Sequence, residues 1–290
     1  MAMPPDLPIV DHHCHLSPNG EGVAAARRFR SAGGSHLFLA TQNYEAGPPM
    51  DLESYRRQFA TTAALGHAVE QETGVRVFLT LAPYPVDLIA QVERLGAAAA
   101  LELGCAALDL AGHLVEEQGA VALGEVGRPH FPYPPAATET VEAVFRHALE
   151  VGRDVGCPVV VHSEELSAEG FAGLAGLAAR ASFPVHRLVK HYQRTLLPPS
   201  EYRGVAPSYV ARRELVEGAL PTAGPWFLET DFLDDPRRPG AVMDLATVPR
   251  RALQWAARGP EMVERLRVPF QEAIQSVYGF TPETRPMGAP

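Results

Sequence analysis

Lysine, cysteine and long apolar runs are scarce in this chain of 290 residues, and each scarcity excludes a class of protein. Lysine occurs once, at Lys190, and acidic residues outnumber basic ones by 34 to 25, so the net charge of -9 does not favour general attraction to nucleic acid or to an anionic membrane. Three cysteines without a Cys-x-x-Cys spacing argue against a disulfide framework. No apolar run reaches the roughly 18 residues of a membrane-spanning helix, and the N-terminus lacks a signal-peptide pattern. We therefore expect a soluble, cytoplasmic protein.

Apolar residues are abundant, at 46% of the chain, and they lie in short runs with helical patterns between them. Eight runs have the composition of buried parallel strands, at 7–16, 36–43, 75–83, 120–129, 158–165, 186–194, 202–210 and 226–233. Strand and helix alternating eight times predicts a (β/α)8 barrel, or TIM barrel, with a doubly wound open sheet as the alternative. Gly96 divides the long stretch 86–118, so we expect an extra helix after the third strand, and two more at 248–279. We assign residues 1–290 to a single domain.

The carboxyl ends of the predicted strands are rich in side chains that bind metals, and this is where barrel enzymes carry their reacting groups. In the first strand His13 and His15 share a face because side chains alternate, whereas His12 and Cys14 are expected on the opposite face, with Cys14 against a helix. The later strands supply Glu125 on the fourth, His162 on the fifth, His191 on the sixth, and Glu229 and Asp231 on the eighth. Four histidines and several carboxylates are thus expected to converge at the carboxyl end of the barrel, which we call its mouth.

This convergence predicts a metal centre, since buried unpaired acids and imidazoles would otherwise cost several kcal/mol. Imidazole and carboxylate ligands without thiolate suit zinc, manganese, iron or cobalt. The six expected ligands are His13, His15, Glu125, His162, His191 and Asp231. Six are too many for one tetrahedral zinc, so we expect two divalent ions with Glu125 bridging them. We expect zinc as the bound metal, with manganese or magnesium as alternatives for activity.

Five strings of the sequence carry a family resemblance. HHCHL, GEVGRPH, VVVHSEE, KHYQR and LETDFLDDP, in this order and at these spacings, resemble the TatD-related branch of the amidohydrolase superfamily, which are metal-dependent hydrolases on a (β/α)8 barrel. The longer strings GEVGRPHFP, ETDFLDDPRRPGAV and AAARRFRSAGGSHL resemble a largely uncharacterised archaeal-type subgroup. The resemblance implies that His13, His15 and Asp231 hold one metal, that His162 and His191 hold the other, and that Glu125 bridges.

The substrate loops depart from the pattern of the TatD nucleases. Those proteins usually carry an Asp soon after the His-x-His, a Gly-x-His-Pro loop after strand three and a His-Cys-Phe type turn after strand six, where this chain has LSPNG, LAPYP and KHYQRT. The metal ligands are kept while the loops differ. The phosphotriesterase-like branch uses a carboxylated lysine as the bridge, but strand four has no lysine, and Lys190 is expected to face away from the barrel interior.

The ligand set suggests a hydrolytic mechanism. A water molecule between two divalent ions would be acidified and would attack, with Asp231 and Glu125 as catalytic residues and Asp231 taking the proton. Candidate substrate contacts at the mouth are Arg128, Arg194, His130 and Tyr192, with Tyr133, Arg237 and Arg238 as weaker ones. The arginines would bind phosphate, or alternatively they pair with neighbouring acids.

We therefore expect a TatD-like nuclease or phosphoesterase, whose substrate is a small phosphoester or a nucleic-acid end such as single-stranded DNA, with no membrane and no obligate protein partner. One alternative is a lactone or amide hydrolase on the same metal centre. Another is a metal- or nucleotide-binding protein without turnover. Two or more arginines within reach of the metals would favour a phosphate substrate. A site entrance with acidic residues and no arginine would favour a neutral carbonyl substrate.

Overall fold

The computed structural model describes residues 7–235, 237–238 and 243–283. The ends of the predicted domain and part of the string ETDFLDDPRRPGAV, at 236 and 239–242, lie outside the described residues. Within those ranges one parallel sheet is formed by β1 (Val10–His15), β2 (His36–Ala40), β3 (Arg76–Leu81), β4 (Ala122–Gly127), β5 (Val159–His162), β6 (Leu188–Gln193), β7 (Ala206–Val210), β8 (Phe227–Glu229) and β9 (Phe232–Leu233).

The sheet closes on itself, which confirms the predicted (β/α)8 barrel. The hydrogen-bonded order runs β8-β7-β6-β5-β4-β3-β2-β1-β9, and only Thr230 and Asp231 separate β8 from β9. The eighth strand is therefore broken into two short pieces, of which β8 pairs with β7 and β9 pairs with β1. The backbone N–H of Asp231 also donates to the carbonyl of His13, at 2.9 Å. Asp231 thus lies on the seam where the barrel closes.

The helices surround the sheet in the predicted places. They are α1 (Val23–Ser31), α2 (Leu52–Thr73), α3 (Pro85–Leu95), α4 (Ala97–Glu116), α5 (Pro135–Val155), α6 (Ala168–Arg180), α7 (Arg213–Ala219), α8 (Thr247–Ala256), α9 (Pro260–Arg267) and α10 (Ala273–Tyr278). Gly96 separates α3 from α4, so the extra helix after the third strand is confirmed. The two predicted C-terminal helices are α8 and a longer one, in which the π-helical segment Val268–Glu272 joins α9 to α10.

Helix α4 corrects the expectation that no segment is apolar enough to span a membrane. By length and composition alone it passes that test, with a mean hydropathy of 1.4. In the structure it packs against α5 at two glycines: a Cβ at Gly104 would lie 2.8 Å from Val144, and one at Gly112 would lie 2.5 Å from Val151. Contact with α5 thus covers one face of the helix.

The alternation of side chains along β1 holds for Cys14 and fails for His12. Cys14 is buried in an apolar cluster with Phe29 of α1, as predicted. His12 instead stacks on Phe227, with ring centroids 3.9 Å apart, and its Nε2 lies 2.8 Å from the hydroxyl of Tyr278. The register between β1 and β2 shifts between Asp11 and Cys14. Such a bulge turns two successive side chains to one side, so His12 enters the barrel core beneath His13 instead of leaving on the opposite face.

Candidate metal centre

The strands that supply the predicted ligands are irregular at the ligands themselves. The register of β1 shifts between Asp11 and Cys14, that of β4 between Gly124 and Val126, and that of β6 between Lys190 and Gln193. These intervals contain His13, Glu125 and His191. Because a bulge redirects a side chain while the strand continues, it lets regular strands aim groups at a single point.

One half of the site consists of His13, His15 and Asp231. The Nε2 atoms of the two histidines are 3.2 Å apart, and Asp231 Oδ1 lies 3.9 Å from the first and 3.7 Å from the second. Atoms bound to one cation at roughly 2.0–2.2 Å lie about 3–4 Å from each other. The three ligand atoms therefore have the spacing that one divalent cation requires.

The other half consists of His162 and His191. Nδ1 of His162 lies 3.0 Å from Nε2 of His191, and the two nitrogens lie 2.6 and 2.8 Å from Oε1 of Glu125. Glu125 presents its second oxygen to the first half: Oε2 is 3.4 Å from Nε2 of His15 and 3.8 Å from that of His13. The two oxygens of one carboxylate thus face two different pairs of histidines.

The electrostatics of the site suit cations. His13, His15, Glu125, His162 and His191 are each at most 8% exposed. Burial lowers the pKa of His15 and of His162 to about 4, so both imidazoles are neutral and able to bind a metal. Desolvation, with Glu125, Glu229 and Asp11 nearby, raises the pKa of Asp231 well above its usual value. Ionised carboxylates in this pocket need positive charge beside them.

Two buried carboxylates hold the ligands from behind. Glu229 Oε1 lies 3.4 Å from Nδ1 of His191 and accepts a hydrogen bond from the backbone of Tyr192 at 2.7 Å. Asp11 accepts hydrogen bonds from the hydroxyl of Thr230, at 2.7 Å, and from the backbone of His13, at 3.2 Å. Glu229 therefore supports a ligand without reaching the mouth. Such outer partners fix the orientation of metal-binding imidazoles.

Asp234 anchors the loop that follows β1. Its carboxylate accepts hydrogen bonds from the backbone N–H groups of Ser17, Glu21 and Gly22, at 2.9, 2.8 and 2.7 Å. Helix α1, which begins at the next residue, has no side-chain cap of its own. A residue just beyond Asp231 thus holds the turn that leads from His15 into α1, and this contact ties the two sources of the first three ligands together.

The predicted substrate contacts occupy different places. Arg128 is paired with Glu142 of α5 through two nitrogens, and Arg194 is paired with Glu165 at 3.2 Å. His130 lies beside the metal centre, with its Nδ1 2.9 Å from Nε2 of His162. Tyr192 is partly buried next to His191. Two of the four candidates therefore border the ligands, while the guanidinium groups of the other two are held by acids.

Two residues at the mouth are absent from the sequence-based candidates, Tyr84 and Arg212, and a third, Arg238, is among the weaker candidates. Tyr84, after β3, points its hydroxyl at His162, 3.5 Å from Nε2. Arg212 follows β7 and Arg238 follows β9, and neither guanidinium makes a hydrogen bond or close ion pair with a described residue. Burial raises the pKa of Tyr84 and of Tyr192, and Arg238 and Arg212 respectively oppose that rise. Their place in the sequence could have indicated them, since Tyr84, Arg212 and Arg238 each follow the end of a strand.

Lys190 lies in the wall of the barrel. It is fully buried, and its Nζ donates to the backbone carbonyls of Ser163, at 3.3 Å, and of His191. Burial lowers its pKa to about 8. The ammonium therefore braces the ends of β5 and β6, and the bridging position between the histidine pairs belongs to Glu125.

Comparisons with known proteins identify relatives of this chain. A family model described as TatD related DNase matches residues 10–279. The uncharacterized protein MJ1127 of the archaeon Methanocaldococcus jannaschii is 26% identical over 276 residues, which are 94% of this chain and 96% of that protein. The uncharacterized metal-dependent hydrolase YcfH of Escherichia coli is 36% identical over 59 residues, or 20% of this chain and 22% of that protein.

Solved structures share the fold. The TatD homologue YJJV of Escherichia coli has a TM-score of 0.62 at 17% identity, covering 94% of this chain and 98% of that one. A lactonase of Deinococcus radiodurans, similar to phosphotriesterases, has a TM-score of 0.55 at 15% identity, covering 94% and 96%. With a barrel, a cluster of histidines and carboxylates at its carboxyl end, and a family match over nearly the whole length, the chain belongs to the TatD family of metal-dependent hydrolases.

Proposed function

We propose that this chain hydrolyses a phosphoester bond with two divalent cations. One observation carries the proposal: the two oxygens of Glu125 face different histidine pairs, Oε2 toward His15 at 3.4 Å and Oε1 toward His191 at 2.8 Å. A carboxylate so placed would neutralise two cations if both were bound. His13, His15 and Asp231 would hold one cation, and His162 and His191 the other.

The chain's own groups supply positioning and proton transfer. Bound cations would neutralise negative charge on the substrate and lower the pKa of a water molecule. The Asp231 side chain is 19% exposed, more than Glu125 at 7%, so it is the carboxylate of the pair that is more open to the mouth. It lies on the seam of the barrel, with its backbone N–H fixed to His13. We assign it as the acceptor of the proton that the attacking water loses.

The donor set favours zinc as the bound metal. Four imidazoles and two carboxylates without thiolate are borderline ligands that suit zinc, while manganese has a similar preference for carboxylate. Magnesium prefers an octahedral shell of oxygens, so it fits the imidazole pairs less well. We propose zinc for the bound state and keep manganese and magnesium for the activity tests.

Two arginines support a phosphate substrate. Arg212 and Arg238 follow β7 and β9 at the mouth, and their guanidinium groups are free of close ion pairs with the described acids. Guanidinium binds phosphate in a two-pronged geometry, so these side chains could hold a small phosphoester or the end of a nucleic-acid strand.

Hydrolysis of a lactone or an amide is the second candidate. Arg128 and Arg194 are neutralised by Glu142 and Glu165, so part of the cationic lining that a phosphate would use is already occupied. The same centre can direct water at a carbonyl group. The lactonase with a similar fold shares too little sequence to carry its substrate over to this chain.

A substrate screen tests these candidates. Metal-free protein prepared by chelation is reconstituted with zinc, manganese or magnesium and assayed on p-nitrophenyl phosphate, bis(p-nitrophenyl) phosphate, single-stranded DNA, lactones and amides. We expect metal-dependent phosphoester turnover that is lost in Glu125→Gln and kept in Asp235→Asn, a partly buried residue paired with Arg237. Turnover of lactones alone would favour the second candidate. Stoichiometric metal with no turnover of any substrate would indicate a binding protein.

A further inference from the structure

Tyr84 borders the metal centre from a rigid position. It directly precedes Pro85, the first residue of α3, and its backbone is extended, with φ -73° and ψ 130°. Proline restricts the preceding residue to this conformation. The carbonyl of Tyr84 also accepts a hydrogen bond from the N–H of Asp87, at 3.0 Å. The ring lies edge-on to the ring of His162, with centroids 5.1 Å apart. The hydroxyl is therefore held on the His162 side of the pocket.

The hydroxyl of Tyr84 has no short hydrogen-bond partner among the described residues. Its one contact of this kind, with Nε2 of His162, is 3.5 Å long, at the limit of a hydrogen bond. That nitrogen already has a better partner, because Nδ1 of His130 lies 2.9 Å away. His162 faces Glu125 and His191 with its other nitrogen. His130 thus completes the bonding of His162 and leaves the phenol available.

A hydrogen-bond donor at the position of the Tyr84 hydroxyl can bind a substrate oxygen. Oε1 of Glu125 lies 2.6 Å from His162 and 2.8 Å from His191, so a substrate oxygen bound to a cation held there would lie near the ring of His162. A phenol is a neutral donor, which can bind an oxygen without competing with the histidines for the cation. A donor fixed beside a developing negative charge, in a site that excludes water, accelerates the reaction.

We propose that Tyr84 is a catalytic residue whose hydroxyl donates a hydrogen bond to a substrate phosphoryl oxygen on the His162 side of the site. This inference rests on the proposed phosphoester hydrolysis. In this proposal His130 positions His162 through the contact between its Nδ1 and Nε2 of His162.

The test compares Tyr84→Phe with two controls in the metal-loaded full-length chain. Tyr55→Phe removes a buried phenol that bonds Gln91, away from the site. His130→Gln disturbs the residue that positions His162. Three quantities are measured for each: kcat on bis(p-nitrophenyl) phosphate, the dissociation constant for inorganic phosphate by calorimetry, and the zinc-binding isotherm.

We expect Tyr84→Phe to lower kcat by roughly 10- to 100-fold and to weaken phosphate binding by about 10-fold, with the zinc isotherm unchanged. His130→Gln should weaken zinc binding by roughly 10- to 100-fold. Unchanged kcat and phosphate affinity in Tyr84→Phe would overturn the proposal, as would a loss that follows the zinc isotherm in the same way as that of His130→Gln. A parent protein that binds phosphate but cleaves no phosphoester would contradict the proposed function alone, because the phosphate titration of Tyr84→Phe would still decide the contact.

Discussion

Buried histidines lie at both ends of the barrel and have different roles there. At the carboxyl end, His13, His15, His162 and His191 face Glu125 and one another. Toward the amino end, His12 stacks on Phe227 and His36 stacks on Phe78, with centroids 3.9 and 5.8 Å apart. The residue type is the same, and the partners differ. Carboxylates make the first group a candidate metal centre, and aromatic rings make the second part of the core.

Burial lowers the pKa of most of these histidines, at both ends of the barrel. It lowers the pKa of His12 to about 3 and the pKa of His15, His36 and His162 to about 4. Burial also opposes a charge on His191, but Glu125 and Glu229 outweigh it and raise its pKa to about 10. A neutral imidazole is therefore the common state. Nearby carboxylates, and not burial, distinguish the functional end of the barrel.

Removing the proton acceptor should have the largest effect. We expect Asp231→Asn to lower kcat by roughly 10²- to 10⁴-fold, because an amide cannot take the proton from water. Four imidazoles and Glu125 remain, so the variant should keep most of its metal. Metal analysis and steady-state kinetics measure the two quantities, and Asp235→Asn is the matched control in the same loop. A variant with both metals and full activity would reject Asp231 as the base.

Glu125→Gln sharpens the comparison at the carboxyl end. One amide oxygen cannot neutralise two cations, so we expect the affinity for one of the two ions to fall at least roughly 100-fold and the metal content after dialysis to drop from two equivalents toward one. Elemental analysis alongside a zinc titration measures this. Retention of two equivalents at the affinity of the parent protein would show that Glu125 does not bridge.

His12→Ala, in the core, should lower stability and leave metal binding unchanged. We expect it to lower the free energy of unfolding by about 2–3 kcal/mol, since it leaves a cavity beside Phe227 and removes the partner of the Tyr278 hydroxyl. The metal content should not change. Urea unfolding of the metal-free protein measures the loss, and His113→Ala, at an exposed site, is the control. A loss of metal equal to that of Glu125→Gln would make His12 part of the metal site and break the distinction.

The smallest effect is expected at His36 and depends on pH. The unfolded chain takes up a proton near pH 6.5, whereas burial, with Arg76 and Arg30 nearby, holds the pKa of folded His36 at about 4. Between these values the unfolded state binds more protons, so stability falls as the pH falls. We expect His36→Phe to remove about 1.4 kcal/mol of the loss between pH 7.5 and pH 5.5. Urea unfolding at both pH values measures it, and parallel losses in both proteins would refute the assignment.

The sequence predicts the barrel well because its signals are local. Apolar runs, the capping residue Asp51 and the divider Gly96 act within a few residues, and the structure has the corresponding elements. The six candidate ligands also follow from position, since each ends a strand. The prediction that His12 faces away from His13 was wrong, because a shift of one residue in register changes the face of a side chain. The bulge in β1 turned His12 inward.

The rest of the site could not be predicted because it depends on contacts between distant segments. Arg128 follows a strand end in the expected way, but the acid that holds it, Glu142, comes from the outer face of the next helix. Glu229 lies at a strand end as the expected ligands do, and only the packed structure shows that it supports His191 from behind, as Asp11 supports His13. The residue type of Tyr84 did not indicate a functional site, because a tyrosine before a proline is common in turns.

The broken eighth strand has a consequence for protein synthesis. The strand that carries His13 and His15 leaves the ribosome first, and the piece that pairs with it, β9, follows Asp231 near the end of the chain. A nascent or prematurely terminated chain that stops before Asp231 already has four histidines and Glu125, but it lacks both the closing strand and the proton acceptor. Because domains fold as units and this barrel is closed by β9, we expect such fragments to lack the assembled site and to remain inert. Hydrolytic activity then begins only when translation has passed the seam.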